Sequence, residues 1–364
     1  MDSIVNAAIQ HGKVEKRVYE DFEGADRLKI VVMGTGGAGN NTINRLNRIG
    51  VEGAELIASN TDKQDLQKLE GNMTKILIGA KLMRGLGAGG FPELGEKAAE
   101  ASRHELADLL ANTHLLFLTA GMGGGTGTGS APVIAEIAKE QGAIVVAVVT
   151  FPFALERTRL NIARQGIDTL RKVADTVIVI DNNKLVEYVP NLPLDKAFSV
   201  ADEVIARAVK GITETIMEPS LINLDFADIK AVMGGGNVAV ISVGDGEGPD
   251  RIEKAAENTL SQPLLQVDYK LASGCLIHIT GGEDMTLGEA NKIGELITQE
   301  LDPEANITWG ARVDPRVKDR IEVIAIITGV QSPNIIGSSN KDEATGSYIY
   351  TREYDNWAGS LNEV

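Results

Sequence analysis

The chain has 364 residues, long enough for two domains with separate cores. Its 51 acidic residues outnumber 35 basic ones, and the resulting net charge of −16 argues against nucleic acid as a main partner, because phosphate backbones are bound by clustered lysine and arginine. One cysteine, Cys275, excludes an intrachain disulfide framework, and its place in the apolar run GCLIHI suits a small core residue.

Residues 1–26 are polar and mixed in charge. Val5, Ala8 and Ile9 share helical spacing, which fits either a short docked helix or a disordered extension. From Leu28 onward, apolar runs alternate with helical stretches. LKIVVMG (28–34) reads as a buried strand ending at Met33, with a turn on Gly34, Gly36, Gly37 and Gly39 and a helix whose Ile43, Leu46 and Ile49 share one face. AELIASN (54–60) is a second strand. HLLFLTA (114–120) is a third, and it passes through a glycine run into a helix beginning near Ser130–Pro132. GAIVVAVVT (142–150) and DTVIVID (175–181) complete the series. Strands of continuous apolar character separated by helices predict a parallel sheet covered on both faces, over a first domain at 27–193.

Residues 194–217 predict one long helix. Phe198, Ala201, Val204, Ile205, Ala208, Val209, Ile212 and Ile216 follow its period, and Pro219 stops it, so the central helix is placed at 194–218. Beyond it, strands at 237–246, 274–282, 305–314 and 320–330 alternate with helical stretches, which predicts a smaller α+β domain over 219–332. The polar tail at 333–364 holds Tyr348, Tyr350, Tyr354 and Trp357. Part of it docks on a partner or back onto the domain, or it is a plain extension.

Two glycine sites carry the chemistry. VVMGTGGAGNN (31–41) places glycines between a strand and a helix, where backbone N–H groups form an anion site. It lacks the spacing of a dinucleotide fingerprint or a P-loop, and taken alone it also fits a purely structural turn. In TAGMGGGTGTGSAPV (119–133), glycines let the backbone approach a ligand, Thr126, Thr128 and Ser130 add hydroxyl donors, and a helix N-terminus follows. Neither loop contains a lysine, so charge neutralisation falls to backbone amides and a bound cation, which makes Mg²⁺ the expected partner of the phosphates. The four histidines have no metal-ligand spacing, and no protein metal ligands are assigned. With no basic leader at MDSIVNAAIQHG and no apolar run long enough for a membrane span, the expectation is a cytoplasmic protein without membrane insertion.

The run GGGTGTG (123–129) resembles the tubulin signature in its FtsZ form. GGAGNN (36–41), NTD (60–62), RGLGAGG (84–90) and NLDFADIKAVM (223–233) occur in the order used by that family. The resemblance spans residues 28–332, and ITGVQS (327–332) is similar to archaeal members. It implies a tubulin-like α/β fold: a Rossmann-type parallel-sheet GTP-binding domain joined by a long central helix to a smaller α+β domain.

The resemblance also implies site residues. Gly37, Ala38, Gly39, Asn40 and Asn41 would hold phosphates together with Gly123, Gly124, Gly125, Thr126, Gly127, Thr128 and Gly129. Asn60, Asp62, Gly87, Ala88, Gly89 and Gly90 would lie over the γ-phosphate and Mg²⁺ side. Glu156 and Arg159 would contact ribose and phosphates, Asn182 and Asp202 the guanine edge, and Phe198 would stack near the base. Two departures matter. Glu156-Arg157-Thr158-Arg159 is one residue shorter than the family's usual segment, so either Arg157 or Arg159 takes the phosphate role. Asp181 replaces the usual proline before Asn182.

Asp225 and Asp228, three residues apart, can share a helical face and orient water or hold a cation; on spacing alone they also fit a helix cap and a solvated acid. The resemblance implies instead that Asn223, Asp225 and Asp228 complete the nucleotide site of the next subunit. The implied function is a GTP-hydrolysing, head-to-tail polymer of the cell-division ring at mid-cell, tethered to the membrane through an adaptor on the tail. Two alternatives stand beside it. A shape or scaffold filament of the same family would share the GTPase site. A nicotinamide oxidoreductase would need an acid at the end of the second strand, and Glu55 and Asp62 fit that poorly.

Overall fold

The computed structural model describes residues 28–184, 191–217, 226–234, 237–261, 267–330, 338–341 and 348–351. Strands β1 (Ile30–Thr35), β2 (Ala54–Asn60), β3 (Thr74–Leu77), β4 (Leu115–Gly121), β5 (Ile144–Phe151) and β6 (Thr176–Asp181) run parallel in the order β3-β2-β1-β4-β5-β6. In β1, Val31 and Met33 enter the core on one face while Ile30 and Val32 enter the core on the other. The same division of Leu116 and Leu118 from Leu115 and Phe117 in β4 explains why these strands are apolar throughout rather than alternating.

The second half continues the same sheet. Strands β7 (Asn237–Glu247), β8 (Gly274–Gly281), β9 (Asn306–Val313) and β10 (Arg320–Thr328) extend it in the order β7-β10-β8-β9. β10 is antiparallel to both β7 and β8, whereas β8 and β9 are parallel. The junction is a short parallel register, Thr176↔Asn237 through Ile178↔Ala239. The two parts share one ten-stranded sheet, and the core on each face of it runs through both halves, so the described residues do not form the separate cores that the chain length allows.

One face is covered by helices α1 (Gly36–Ile49), α2 (Lys63–Lys68), α8 (Leu194–Met217) and α9 (Phe226–Met233). The short helix α3 (Ala80–Met83) precedes α4 (Pro92–Ala101) and α5 (Arg103–Leu110). These last two, with α6 (Thr126–Glu140), α7 (Thr158–Leu170), α10 (Arg251–Leu260) and α11 (Leu287–Thr298), cover the other face. α8 has the bounds its periodicity predicts, and its 24 residues span about 36 Å. Its Glu214 bonds Arg312 of β9 at 3.1 Å, and its Lys210 donates to the C-terminal carbonyl of Gly50 beyond α1 at 2.9 Å.

Three further features depart from the sequence reading. α1 starts at Gly36 and α6 at Thr126, so Gly36–Gly39 and Gly127–Gly129 lie in the first turns of helices, while Gly123–Gly125 stay in the turn before α6. Pro132 therefore lies inside α6 rather than at its start. Strands Ser338–Lys341 (β11) and Tyr348–Thr351 (β12) pair antiparallel within the expected polar tail. Tyr354, Trp357 and the residues considered for an N-terminal helix lie outside the described residues. Cys275 is fully buried, and burial pushes its thiol up to about 12.

Candidate functional site

The C-terminal ends of β1 and β4 deliver two helix N-termini side by side. Gly36, the first residue of α1, has φ +73°, and a Cβ there would stand 2.9 Å from the backbone N of Gly127 in α6. A side chain at that position would be strained and would wedge the two helix starts apart. The first turns leave their N–H groups without helical partners and carry the positive dipole ends, so the pair is suited to bind phosphate.

The glycines divide into two groups. A Cβ at Gly129 would collide with the Pro92 carbonyl of α4, and one at Gly125 would meet the Phe91 N at 2.8 Å. These glycines serve close packing. A Cβ on Gly37 or Gly124 would meet no atom within 4 Å, so both face open space on the cradle. The hydroxyls expected to meet phosphate are largely engaged within the protein. Thr128 Oγ1 accepts from the Gly123 N–H at 2.9 Å, and Ser130 Oγ lies 2.6 Å from both Thr35 Oγ1 and the Thr126 carbonyl. Thr126 Oγ1 lies 2.6 Å from Thr61 Oγ1, tying α6 to the segment after β2.

That segment meets the next loop. Asp62 bridges to Leu86, and the Gly87 N–H donates to the Thr61 carbonyl at 3.2 Å. Asp62 also accepts from the backbone N–H of Gln64 at 2.8 Å, capping α2. The Ala88 side chain approaches Gly125, so residues 60–62, 87–90 and 123–129 form one surface. Two buried amides face unusual demands. Asn40 is 2% exposed with neither its Nδ2 nor its Oδ1 hydrogen-bonded, and Asn60, 3% exposed, has an unpartnered Nδ2. Each such group costs about 1–3 kcal/mol unless a ligand satisfies it.

On the other side, Pro152 and Arg159 pack against Gly123, where a Cβ would stand 3.0 Å from that of Arg159. Arg159 also pairs with Glu156 at 2.8 Å. Arg157 takes φ +24° at the start of α7. Asp181, in place of the family's proline, accepts from both the backbone N–H and the side chain of Asn183 at 2.9 and 2.7 Å, and Asn183 in turn accepts from the Ala154 N–H. This pins the segment after β5 beside Asn182, which is 9% exposed. Asn183 was not singled out in the sequence, although it adjoins Asn182.

Asp202 of α8 approaches the same end of the molecule. It accepts from Thr42 Oγ1 of α1 at 3.2 Å. Burial pushes its carboxyl up to about 6, partly offset by the Thr42 bond and the charge of Arg45. Thr42 was missed because nothing in its own segment marks it; its role needs the packing of α1 on α8. Asn223, Asp225 and the Phe198 side chain lie outside the described residues.

Asp228 lies elsewhere. Its helix α9 begins with Phe226, whose ring meets that of His114 at the N-terminal end of β4. α9 ends at Met233, whose carbonyl accepts from Thr176 Oγ1 at the start of β6. The acid helix thus docks at the end of the parallel strands opposite the glycine cradle, a seven-residue strand away, roughly 20 Å.

Known proteins match both halves of the chain. Residues 29–190 match the family model described as Tubulin/FtsZ family, GTPase domain, and residues 237–331 match FtsZ family, C-terminal domain. The chain belongs to the tubulin/FtsZ family. It is 60% identical over 341 residues to "Cell division protein FtsZ 2" of Methanocaldococcus jannaschii, covering 93% of this chain and 89% of the relative. It is 51% identical to the Haloferax volcanii protein of the same name, covering 95% and 88%. Among solved structures it is similar to "FtsZ dimer, empty (M. jannaschii)", with a TM-score of 0.78, 47% identity and coverage of 90% and 92%. CetZ1 of Haloferax volcanii, 20% identical with a TM-score of 0.73 and coverage of 85% and 96%, shares the fold.

Proposed function

We propose that this chain binds GTP in the cradle between α1 and α6, and hydrolyses it only when a second copy, stacked head to tail, brings its acid helix over the γ-phosphate. The observation that carries this reading is that α9 and the glycine cradle lie at opposite ends of the same parallel strands. Asp228 cannot serve the nucleotide of its own chain across that distance. A contact between two different surfaces of identical subunits propagates as an open filament. Leu86, Phe91 and Leu155, 62–82% exposed on loops at the cradle edge, suit burial by such a neighbour.

In this reading the first turns of α1 and α6, with Gly37–Asn41 and Gly123–Gly129, hold the phosphates through backbone N–H groups. Asn40 and Asn60 gain the partners they lack, and of the two candidate arginines we assign the phosphate contact to Arg159, whose backbone and Cβ pack beside Gly123. Glu156 accepts from ribose. Asp202 and Asn182 read the guanine edge, where a carboxylate accepting from N1–H and N2–H₂ favours guanine over adenine, and Phe198 stacks near the base. The donor set fits Mg²⁺ carried by the nucleotide: Asp62, beside Gly87, is a carboxylate available through water, and phosphates fill the other positions. When bound, the cation neutralises charge developing on the phosphoryl oxygens. The incoming Asp225 and Asp228, with Asn223, orient the attacking water, and the cradle amides stabilise the charge on the transferred group.

Residues 27–193 act as the GTP-binding domain, 194–218 as the central helix and 219–332 as the domain carrying the acid loop. The tail at 333–364 offers Tyr354 and Trp357 to a membrane-tethering adaptor, and the filament forms the division ring at mid-cell in the cytoplasm. Relatives named as cell-division proteins at 51–60% identity favour division over a shape or scaffold role. None of the helices among the described residues is long and apolar enough to cross a membrane. The test is Asp228→Ala, which is expected to retain GTP binding and lose turnover. Retained turnover in that variant overturns the assignment.

A further inference from the structure

His114 stands where the N-terminal edge of the sheet meets the acid helix. Its backbone is fixed on two sides. Its N–H donates to the Lys29 carbonyl at 2.9 Å, and its carbonyl accepts from the Ile144 N–H at 2.9 Å. Its ring is fixed as well, because Nδ1 accepts from the Lys29 N–H at 3.0 Å. An accepting Nδ1 leaves the proton on Nε2 and sets both the tautomer and the plane of the ring. The ring so held meets Phe226 nearly perpendicularly, with centroids 6.2 Å apart and an interplanar angle of 89°. This is the edge-to-face arrangement that aromatic quadrupoles favour.

Phe226 is the first residue of α9 and stands directly between Asp225 and Asp228 in the chain. The far end of α9 is held by two hydrogen bonds: Thr176 Oγ1 to the Met233 carbonyl at 2.6 Å and Thr328 Oγ1 to the Val232 carbonyl at 3.1 Å. Among the described residues, the His114–Phe226 ring contact ties the start of α9 to the strand β4. Phe226 packs against the core shared by α1, α8 and α9 and is half-buried, so the His114 ring meets it at the rim of that core.

We propose that His114 is a positioning residue for GTP hydrolysis, acting through Phe226 to hold the start of α9, and with it Asp228, where it meets the nucleotide of the next subunit. The inference rests on the split-site reading above. His114 touches neither nucleotide nor water; its effect belongs to turnover in the filament and not to GTP binding. A misplacement of about 1 Å at a reacting group lowers rates by about a hundredfold, so a loosened helix end is felt in turnover before it is felt in the fold.

The experiment measures turnover per sedimented subunit, GTP affinity in dilute protein, and thermal midpoint for wild type, His114→Ala, His114→Phe and Phe226→Leu. His114→Ala is expected to lower turnover per sedimented subunit about tenfold, with GTP affinity and filament yield within twofold of wild type. His114→Phe keeps the ring and is expected to recover most of the rate. Phe226→Leu is expected to match His114→Ala, and the double variant to be no worse than either. Wild-type turnover in His114→Ala filaments, a fall in GTP affinity that accounts for the lost rate, or additive losses in the double variant would overturn the proposal. If His114→Ala does not fold, His114→Phe and Phe226→Leu decide it: equal loss in both removes the ring contact as cause. Wild-type turnover that is indifferent to polymerisation sinks the split-site reading and this proposal with it, whereas polymer-dependent wild-type turnover with an unaffected His114→Ala sinks this proposal alone.

Discussion

Thr42 Oγ1 on α1 donates to Asp202 Oδ1 on α8 at 3.2 Å, so the helix proposed to hold phosphate is bonded to the helix proposed to read the base. One turn further along, Arg45 and Glu203 pair at 2.6 Å, and Lys210 reaches the carbonyl beyond the end of α1. The two helices are stitched along their length, and the strained member of the seam is Asp202.

The raised carboxyl of Asp202 predicts the pH dependence of nucleotide binding. In the proposed guanine contact N1–H donates to the charged form, and in the free protein that form is lost as pH falls through about 6. Guanine nucleotide affinity is expected to be level above pH 7 and to fall about tenfold per unit well below 6. Fluorescent GDP titrations from pH 5 to 8 check this. Asp202→Asn should bind weakly and without the slope, and Thr42→Val should move the midpoint upward.

The same group has the opposite effect on folding. A carboxyl whose folded value lies above its unfolded 3.8 favours the fold at pH below 3.8, and that contribution is lost as pH rises through about 6. At pH 7 without nucleotide, Asp202→Asn is expected to be more stable than wild type by about 2 kcal/mol. Denaturant unfolding of nucleotide-free protein measures it; equal or lower stability in the variant contradicts the burial argument.

His278 gives a slope in the other direction. It is 2% exposed in β8, with Thr280 Oγ1 3.0 Å from Nε2, and burial, helped by the charge of Arg312, lowers it to about 4. The unfolded chain takes up this proton near 6.5 and the folded chain only near 4, so stability is full above 6.5 and declines as pH falls toward 4. About 2 kcal/mol is expected to be lost between pH 6.5 and 5, and His278→Gln should remove most of that loss.

The two kinds of glycine should separate on substitution. Gly124→Ala places a methyl on the open side of the cradle and is expected to weaken nucleotide binding at least tenfold while leaving the thermal midpoint within a few degrees. Gly129→Ala drives a methyl into the Pro92 carbonyl and is expected to destabilise by about 1–3 kcal/mol. Thermal melts paired with nucleotide titrations distinguish them; the reverse pattern would mean the packing and binding roles are exchanged.

The strands that bury both faces and the long helix 194–217 were legible because their apolar periods are long and uninterrupted. β3 has only four residues, and α4 buries Gly95, Ala98 and Ala99, small residues that leave no apolar stripe to read. The junction of β6 with β7 is a pairing between segments some sixty residues apart, which no local pattern encodes. In the candidate site, the glycine runs were legible as strand-to-helix turns, but their division into close-packed and open-facing positions depends on α4 packing on α6. Thr42 was hidden for the same reason: its partner is 160 residues away.

The split site is the central claim, and GTP turnover as a function of protein concentration tests it most directly. Turnover per subunit is expected to be near zero in dilute protein that still binds GTP, and to rise steeply at the concentration where filaments first sediment. Full turnover per subunit in dilute, unassembled protein would contradict it.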